Sequence, residues 1–282
     1  MKKLILFSLV FCVLTVICIA QDQKLNVIVI GAHPDDCDEI AGGTAILYSR
    51  LGCKVKFISM TNGDAGHQSM GGGALAKRRM EEAQEAGKRF GVEYLVFDNH
   101  DGELMPTLEN RLKIIREIRN WHADLVITHP PDDYHPDHRY TSILVQDASY
   151  MVIVPNIAPD TPPLKKNPVF LYPGFSSPEI AVVIDEVFDQ KIFAMSAHES
   201  QFFEWLPWTE GVLDQVPAGK EEKLKFLAGW YQPANESVKS CIVKWYDEQK
   251  GKKAKFAETF RYAPYSRHPS DEETRKLFPM IK

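Results

Sequence analysis

The sequence predicts a doubly wound, mostly parallel α/β sheet with helices on both faces, and two observations predict it. Short apolar runs that read as buried strands recur along the chain. Segments of helical character separate most of them, and strands alternating with helices call for a parallel sheet. In order, residues 25–30 (LNVIVI) form the first strand and 40–51 a helix. Residues 55–60 (VKFISM) form the second strand. Residues 61–73 hold Gly63, Gly66 and the run Gly71-Gly72-Gly73, so they are a loop. Residues 74–90, rich in Ala, Glu, Lys and Arg, form a helix that Gly91 stops. A strand at 94–97 follows. Apolar residues at Leu112, Ile115 and Ile118 then give helical spacing to 108–121. The strand 124–128 (DLVIT) precedes a helix that runs through Tyr150. The proline-dense stretch 155–178 is a surface loop holding a short strand, 169–172. A buried strand at 180–184 and a helix at 187–197 come next, then helix from 221 to about 250 and an extended piece at 256–262.

Residues 1–20 carry the marks of an export signal. Lys2 and Lys3 are followed by the apolar run 4–19, with Cys18-Ile19-Ala20 as a small-residue cleavage site. An uncleaved membrane anchor is the competing reading, since the run is slightly short of a spanning helix. Lipidation at Cys12 or Cys18 is a weaker one, because Phe11 and Ile17 are bulky where a small residue is usual. Cleavage leaves residues 21–282 as one domain, secreted and periplasmic, with no membrane contact. The whole chain has 33 basic and 38 acidic residues. Removing Lys2 and Lys3 lowers the basic count to 31 and the net charge to −7. That balance excludes nucleic acid as the natural partner. Cys37, Cys53 and Cys241 are an odd set without close spacing, so disulfides do not hold the fold.

The chemistry is concentrated in two strings, Ala32-His33-Pro34-Asp35-Asp36 and His135-Pro136-Asp137-His138. The first follows a predicted strand directly, and the second lies just beyond another. Ligands of open parallel sheets collect beyond the carboxyl ends of strands. His33 and Asp36, three apart in a turn, and His138 from a neighbouring loop give three metal ligands. Asp35, adjacent but not needed for binding, is placed to take a proton from metal-activated water. Asp137 between His135 and His138 favours an imidazolium on His135, suited to an oxyanion. Either string alone is more simply a turn, because Pro and Asp are strong turn residues. Together, each beyond a strand, they are a site.

The paired strings resemble the PIG-L/LmbE-like zinc-dependent de-N-acetylases. The resemblance rests on AHPDD followed by Gly42-Gly43-Thr44, and on HPDH at His135 to His138. Weaker shared features are residues 61–66, Arg79 with Glu82, Asp101-Gly102, His198 with Ser200-Gln201, and Glu258-Thr259-Phe260. It implies a Rossmann-like fold and one zinc, or another divalent ion, on His33, Asp36 and His138. It implies Asp35 as general base and His135, oriented by Asp137, facing the oxyanion or leaving amine. It suggests that Arg79 and Asp101 touch substrate hydroxyls, against the alternative that Arg79 pairs with Glu82 across a helix turn. The implied substrate is a small N-acylated sugar or glycoconjugate. Competing readings are a non-sugar amide or thiol conjugate, and a non-catalytic carbohydrate binder. Cys37 stands where the family usually has Glu; as a fourth ligand beside Asp36 it would be strained. Phe202, Phe203, Trp205 and Trp208 either wall a cleft or pack a core.

Overall fold

The computed structural model describes residues 24–281. The predicted leader therefore lies outside the described residues. Five strands, β1 (Asn26–Gly31), β2 (Lys54–Ser59), β3 (Glu93–Val96), β4 (Leu125–Thr128) and β5 (Val169–Pro173), are parallel in the spatial order β3-β2-β1-β4-β5. Two more, β6 (Ile180–Val183) and β7 (Ala257–Tyr262), extend the β5 edge, with β7 antiparallel to both β5 and β6. The sheet is thus mostly parallel, as the strand–helix alternation requires.

Period-two alternation divides the buried strand residues between two cores. Val27, Val29, Phe57, Leu125, Ile127 and Leu171 face one way. There they meet α1 (Asp36–Arg50), α2 (Gly72–Phe90) and the later helix α5 (Phe188–Met195) through Ala45, Ala83, Phe90, Ile192 and Met195. Ile28, Ile30, Ile58, Val126 and Phe170 face the other way. Their partners are Ile114, Ile115 and Ile118 of α3 (Leu108–Asn120) and Leu144, Val145 and Ala148 of α4 (Pro136–Met151). Each large side chain so buried stabilises the fold by roughly 1.5–3 kcal/mol.

The winding reverses between β1 and β4, which are neighbours in space but separated in sequence by β2 and β3. Ile30 of β1 lies opposite Ile58 on one side and Thr128 on the other. The turns leaving β1 and β4 therefore emerge side by side at one rim. This crevice is where a doubly wound sheet binds ligands.

Several local expectations hold. Gly91 ends α2 with φ 75°, the left-handed conformation that glycine adopts without strain. Others need correction. The helix predicted from residue 40 starts at Asp36 and is broken at Ala41 (φ −145°, ψ 17°). The continuous helix expected to about residue 250 is three pieces, α7 (Lys220–Ala228), α8 (Glu236–Trp245) and α9 (Glu248–Lys253). Asn235 and Asp247 each cap a new start with a side-chain oxygen, which resets the chain direction. Two short helices, α6 (Leu206–Thr209) and α10 (Asp271–Leu277), lie outside the elements the sequence predicts. Among the described residues, no helix is long and apolar enough to cross a membrane.

Candidate active site

The site begins with Gly31, the last residue of β1. A Cβ there would lie 2.6 Å from Cβ of Asp36, so only glycine lets the chain turn back this tightly. The turn brings Asp36 Oδ2 onto the backbone N–H groups of Ala32 (2.8 Å) and His33 (2.7 Å). The Asp36 carboxylate is thereby fixed before any ligand arrives. From the other strand end, Pro136 starts α4 with His135 as its N-cap, and His138 follows in the first turn.

His33 Nδ1 lies 3.4 Å from Asp36 Oδ2 and 3.2 Å from His138 Nε2, and His138 Nε2 lies 3.5 Å from Asp36 Oδ1. Ligands about 2.1 Å from a tetrahedral zinc stand roughly 3.4 Å apart. The donor set thus fits a divalent ion in chemistry, with one carboxylate oxygen of Asp36 turned to His33 and the other to His138. Each histidine also has a carboxylate behind it. His33 Nε2 faces Asp101 Oδ1 (3.1 Å) and Asp137 Oδ2 (3.3 Å), and His138 Nδ1 faces Asp133 Oδ1 (3.0 Å). Such partners fix the orientation of ligand imidazoles.

Electrostatics sharpen these roles. Burial opposes charge on Asp36, but His138 and His129 hold its carboxyl well below the usual range. Burial lowers His138 to about 4, leaving a neutral ring ready to ligate. Burial also opposes charge on His33, yet hydrogen bonds to Asp101, Asp137 and Asp36 carry it well above its ordinary value. A cation at this point must therefore displace a proton from His33. Burial pushes Asp35 up to about 6, although the Arg79 guanidinium, 3.3 Å away, pulls it down. A carboxyl poised there is suited to general base work near neutral pH.

Residues 28–149 match the PIG-L family, described as GlcNAc-PI de-N-acetylase. The chain is 33% identical over 199 residues to the diacetylchitobiose deacetylase of Thermococcus kodakarensis, covering 65% of this chain and 73% of that one. It belongs to the PIG-L/LmbE-like de-N-acetylase family. A probable N-acetyl-alpha-D-glucosaminyl L-malate deacetylase 2 of Bacillus cereus is 27% identical, over 74% of this chain and 96% of that protein. In structure, the deacetylase resembles the N,N'-diacetylchitobiose deacetylase from Pyrococcus horikoshii, solved with its inhibitor MPG. That match has a TM-score of 0.65 at 25% identity and covers 85% of this chain and 84% of the other. Family membership makes the protein an amide hydrolase and sets aside the non-catalytic binder.

The structure brings together His33, Asp35, Asp36, Asp101, His135, Asp137 and His138 of this deacetylase, but redistributes their contacts. The Asp137 carboxylate does not orient His135. It accepts from the backbone N–H groups of Gly102 (2.7 Å) and Leu104 (3.2 Å) and faces His33. His135 Nδ1 instead accepts the backbone N–H of Asp137 at 3.2 Å. Burial, then His33, lowers the His135 pKa, so the expected imidazolium gives way to a neutral ring carrying its proton on Nε2. Arg79 is 2% exposed and is held by Asp35, Asp101 and the carbonyls of Gly63 and Pro34, at the wall of the cleft. It does not pair with Glu82, which is engaged by Arg78 and Ser200. Asp101 likewise turns to His33 and Arg79. Cys37 is buried with Sγ on the Val29 and Ile58 carbonyls, away from any ligand role.

The sequence reading missed His129 and Asp133. His129 Nε2 lies 3.1 Å from Asp36 Oδ2, and Asp36, His129 and His138 form one group of converging donors, while His33, His135 and His138 form another. The position of His129 immediately after β4, matching Ala32 after β1, was the available signal. The cluster floors a cleft of about 850 Å³. Tyr134 and Phe175, 86% and 75% exposed, stand at its rim with Trp205. The aromatic stretch divides: Phe202 and Phe203 are core, whereas Trp205 lines the cleft and stacks on Trp208 at 5.2 Å. His198 is wholly buried against Asp38 and lies off the cleft.

Proposed function

We propose that this deacetylase is a secreted, zinc-dependent enzyme that removes an N-acetyl group from an amino sugar or small glycoconjugate. One observation carries the metal assignment: two histidines turn one nitrogen each toward one another and the Asp36 carboxylate, while another carboxylate braces the other nitrogen of each. When bound there, a zinc ion supplies a Lewis acid and acidifies a water. Asp35, beside that position, would take the proton of a water attacking the amide carbonyl. Its raised pKa lets the same carboxyl return the proton to the departing amine. His135, with a ring nitrogen within 4.8 Å of those of His33 and His138, donates from Nε2 to the oxygen that becomes negative. Arg79 keeps the Asp35 carboxylate charged and in place.

The substrate class rests on the relatives named for N-acetylated sugars and on the rim. Tyr134, Phe175 and Trp205 offer flat apolar faces on which a pyranose ring can lie, among the polar groups Glu39 and Glu210. The test is free-amine release from a panel of N-acetylated mono- and disaccharides by zinc-loaded protein, with Asp35→Asn as control. Release lost in the variant supports the reading. Silence across the sugars with cleavage of other amides would replace the substrate class. His138→Ala should lose zinc, and unchanged zinc content would refute its ligand role.

A further inference from the structure

The break in α1 separates one helical turn, which carries Asp36 at its start and follows Asp35 directly, from the rest of the helix. A single turn has no stability of its own, because helix nucleation is unfavourable. Its direction must be set by what holds its ends. At the break, the Glu39 carbonyl accepts from Lys191 Nζ of α5 at 2.8 Å. The second segment starts with the N–H groups of Gly43 and Thr44, which donate to Glu258 Oε1 (2.8 Å) and Oε2 (2.7 Å) of β7. Lys191 and Glu258 are themselves paired at 2.7 Å, and their side chains are 1% and 5% exposed. Gly43 permits the approach, since a Cβ there would lie 2.8 Å from Ile184. One buried ion pair thus closes both cut ends of the helix, the ammonium on the last carbonyl and the carboxylate on the new first amides.

We infer that Lys191 and Glu258 are positioning residues for the metal centre, holding the Asp35–Asp36 turn at the angle the site requires. Neither touches the cluster, and they come from a helix and a strand far along the chain. The inference rests on the proposed zinc site. A charge pair buried at this cost is weak evidence for stability, and a role in fixing one conformation is the alternative the geometry supports here.

The test measures zinc dissociation constants by chelator competition, with melting temperatures, for wild type, Glu258→Gln, Lys191→Met and the double variant. Ile118→Val, in the opposite core, serves as a control for modest destabilisation. The expected result is zinc binding weakened roughly 10- to 100-fold in the three site variants, the size typical of partners that orient ligands. Cobalt-loaded protein should show an altered ligand-field spectrum in the same variants, and Ile118→Val should keep both wild-type values. The double variant, which leaves no lone buried charge, guards against a single variant that does not fold. Wild-type affinity and spectrum in folded variants would overturn the inference alone. A wild-type protein that binds no zinc would overturn the metal reading and the inference with it.

Discussion

Arg119 and Arg79 are both withdrawn from solvent, 1% and 2% exposed, and they are held in opposite ways. Arg119 lies on α3 and donates to six backbone carbonyls, those of Met151, Val152, Val154, Ile157, Ala158 and Thr161, at 2.6–3.0 Å. It ties the end of α4 to the loop that follows. Arg79 faces the carboxylates of Asp35 and Asp101, its contacts are 3.1–3.5 Å, and its Nε has no partner. The first cation is spent on completing a backbone. The second sits among carboxylates, one of them the proposed base Asp35, in longer contacts.

Ordered by size, the following experiments break or sharpen that contrast. Asp35→Asn removes the partner whose charge Arg79 serves. Turnover should fall about 10²- to 10⁴-fold with zinc content unchanged, and full activity would dismiss Asp35 as base. Arg119→Met orphans the carbonyls it covers, so unfolding free energy should drop by about 3 kcal/mol or more. The folded fraction should keep wild-type kcat/KM; a specific loss would erase the distinction between the two arginines. Arg79→Met should lower kcat/KM roughly 10- to 100-fold, or about 1–3 kcal/mol. It should also move the acid limb of the pH profile. In wild type, kcat/KM is expected to fall as pH drops below about 6, because the carboxylate form of Asp35 is the proposed base. Arg79 lowers that pKa, so its removal shifts the fall to higher pH. An unmoved limb would show that Arg79 does not act through Asp35. The smallest effect is conformational. Asp35 adopts φ 155° and ψ −28°, which a side chain disfavours. Asp35→Gly should therefore exceed Asp35→Ala in stability by about 1 kcal/mol in chemical denaturation.

The parts of the molecule that depend on local pattern were readable from the chain. The apolar runs at 25–30 and 124–128 and the spacing of Ile115 and Ile118 located β1, β4 and α3. The two motif strings fell at the rim because a strand end fixes where the next residues emerge. What stayed hidden depends on contacts between distant residues. Nothing near Arg79 announces that its guanidinium meets Asp35 rather than Glu82, one turn away. Nothing in 257–262 says that this strand inserts antiparallel between β5 and β6. The sequence pairs Asp137 with His135, two residues before it, yet the direction of α4 turns its carboxylate to His33, 104 residues away in sequence. Glu258, read only as a mark of fold membership, meets Gly43 across 215 residues.

The catalytic cluster is drawn from residues 33 to 138, whereas Phe175, Trp205, Thr209 and Glu210 of the cleft wall come from later in the chain. The cleft is thus walled from both stretches, with Glu39 and Tyr134 from the first and Phe175, Trp205, Thr209 and Glu210 from the second. The later stretch is not confined to that wall, since Lys191 and Glu258 reach back to the helix that carries Asp36. A segment around residues 200–210 is the natural piece to transplant between relatives that accept different molecules.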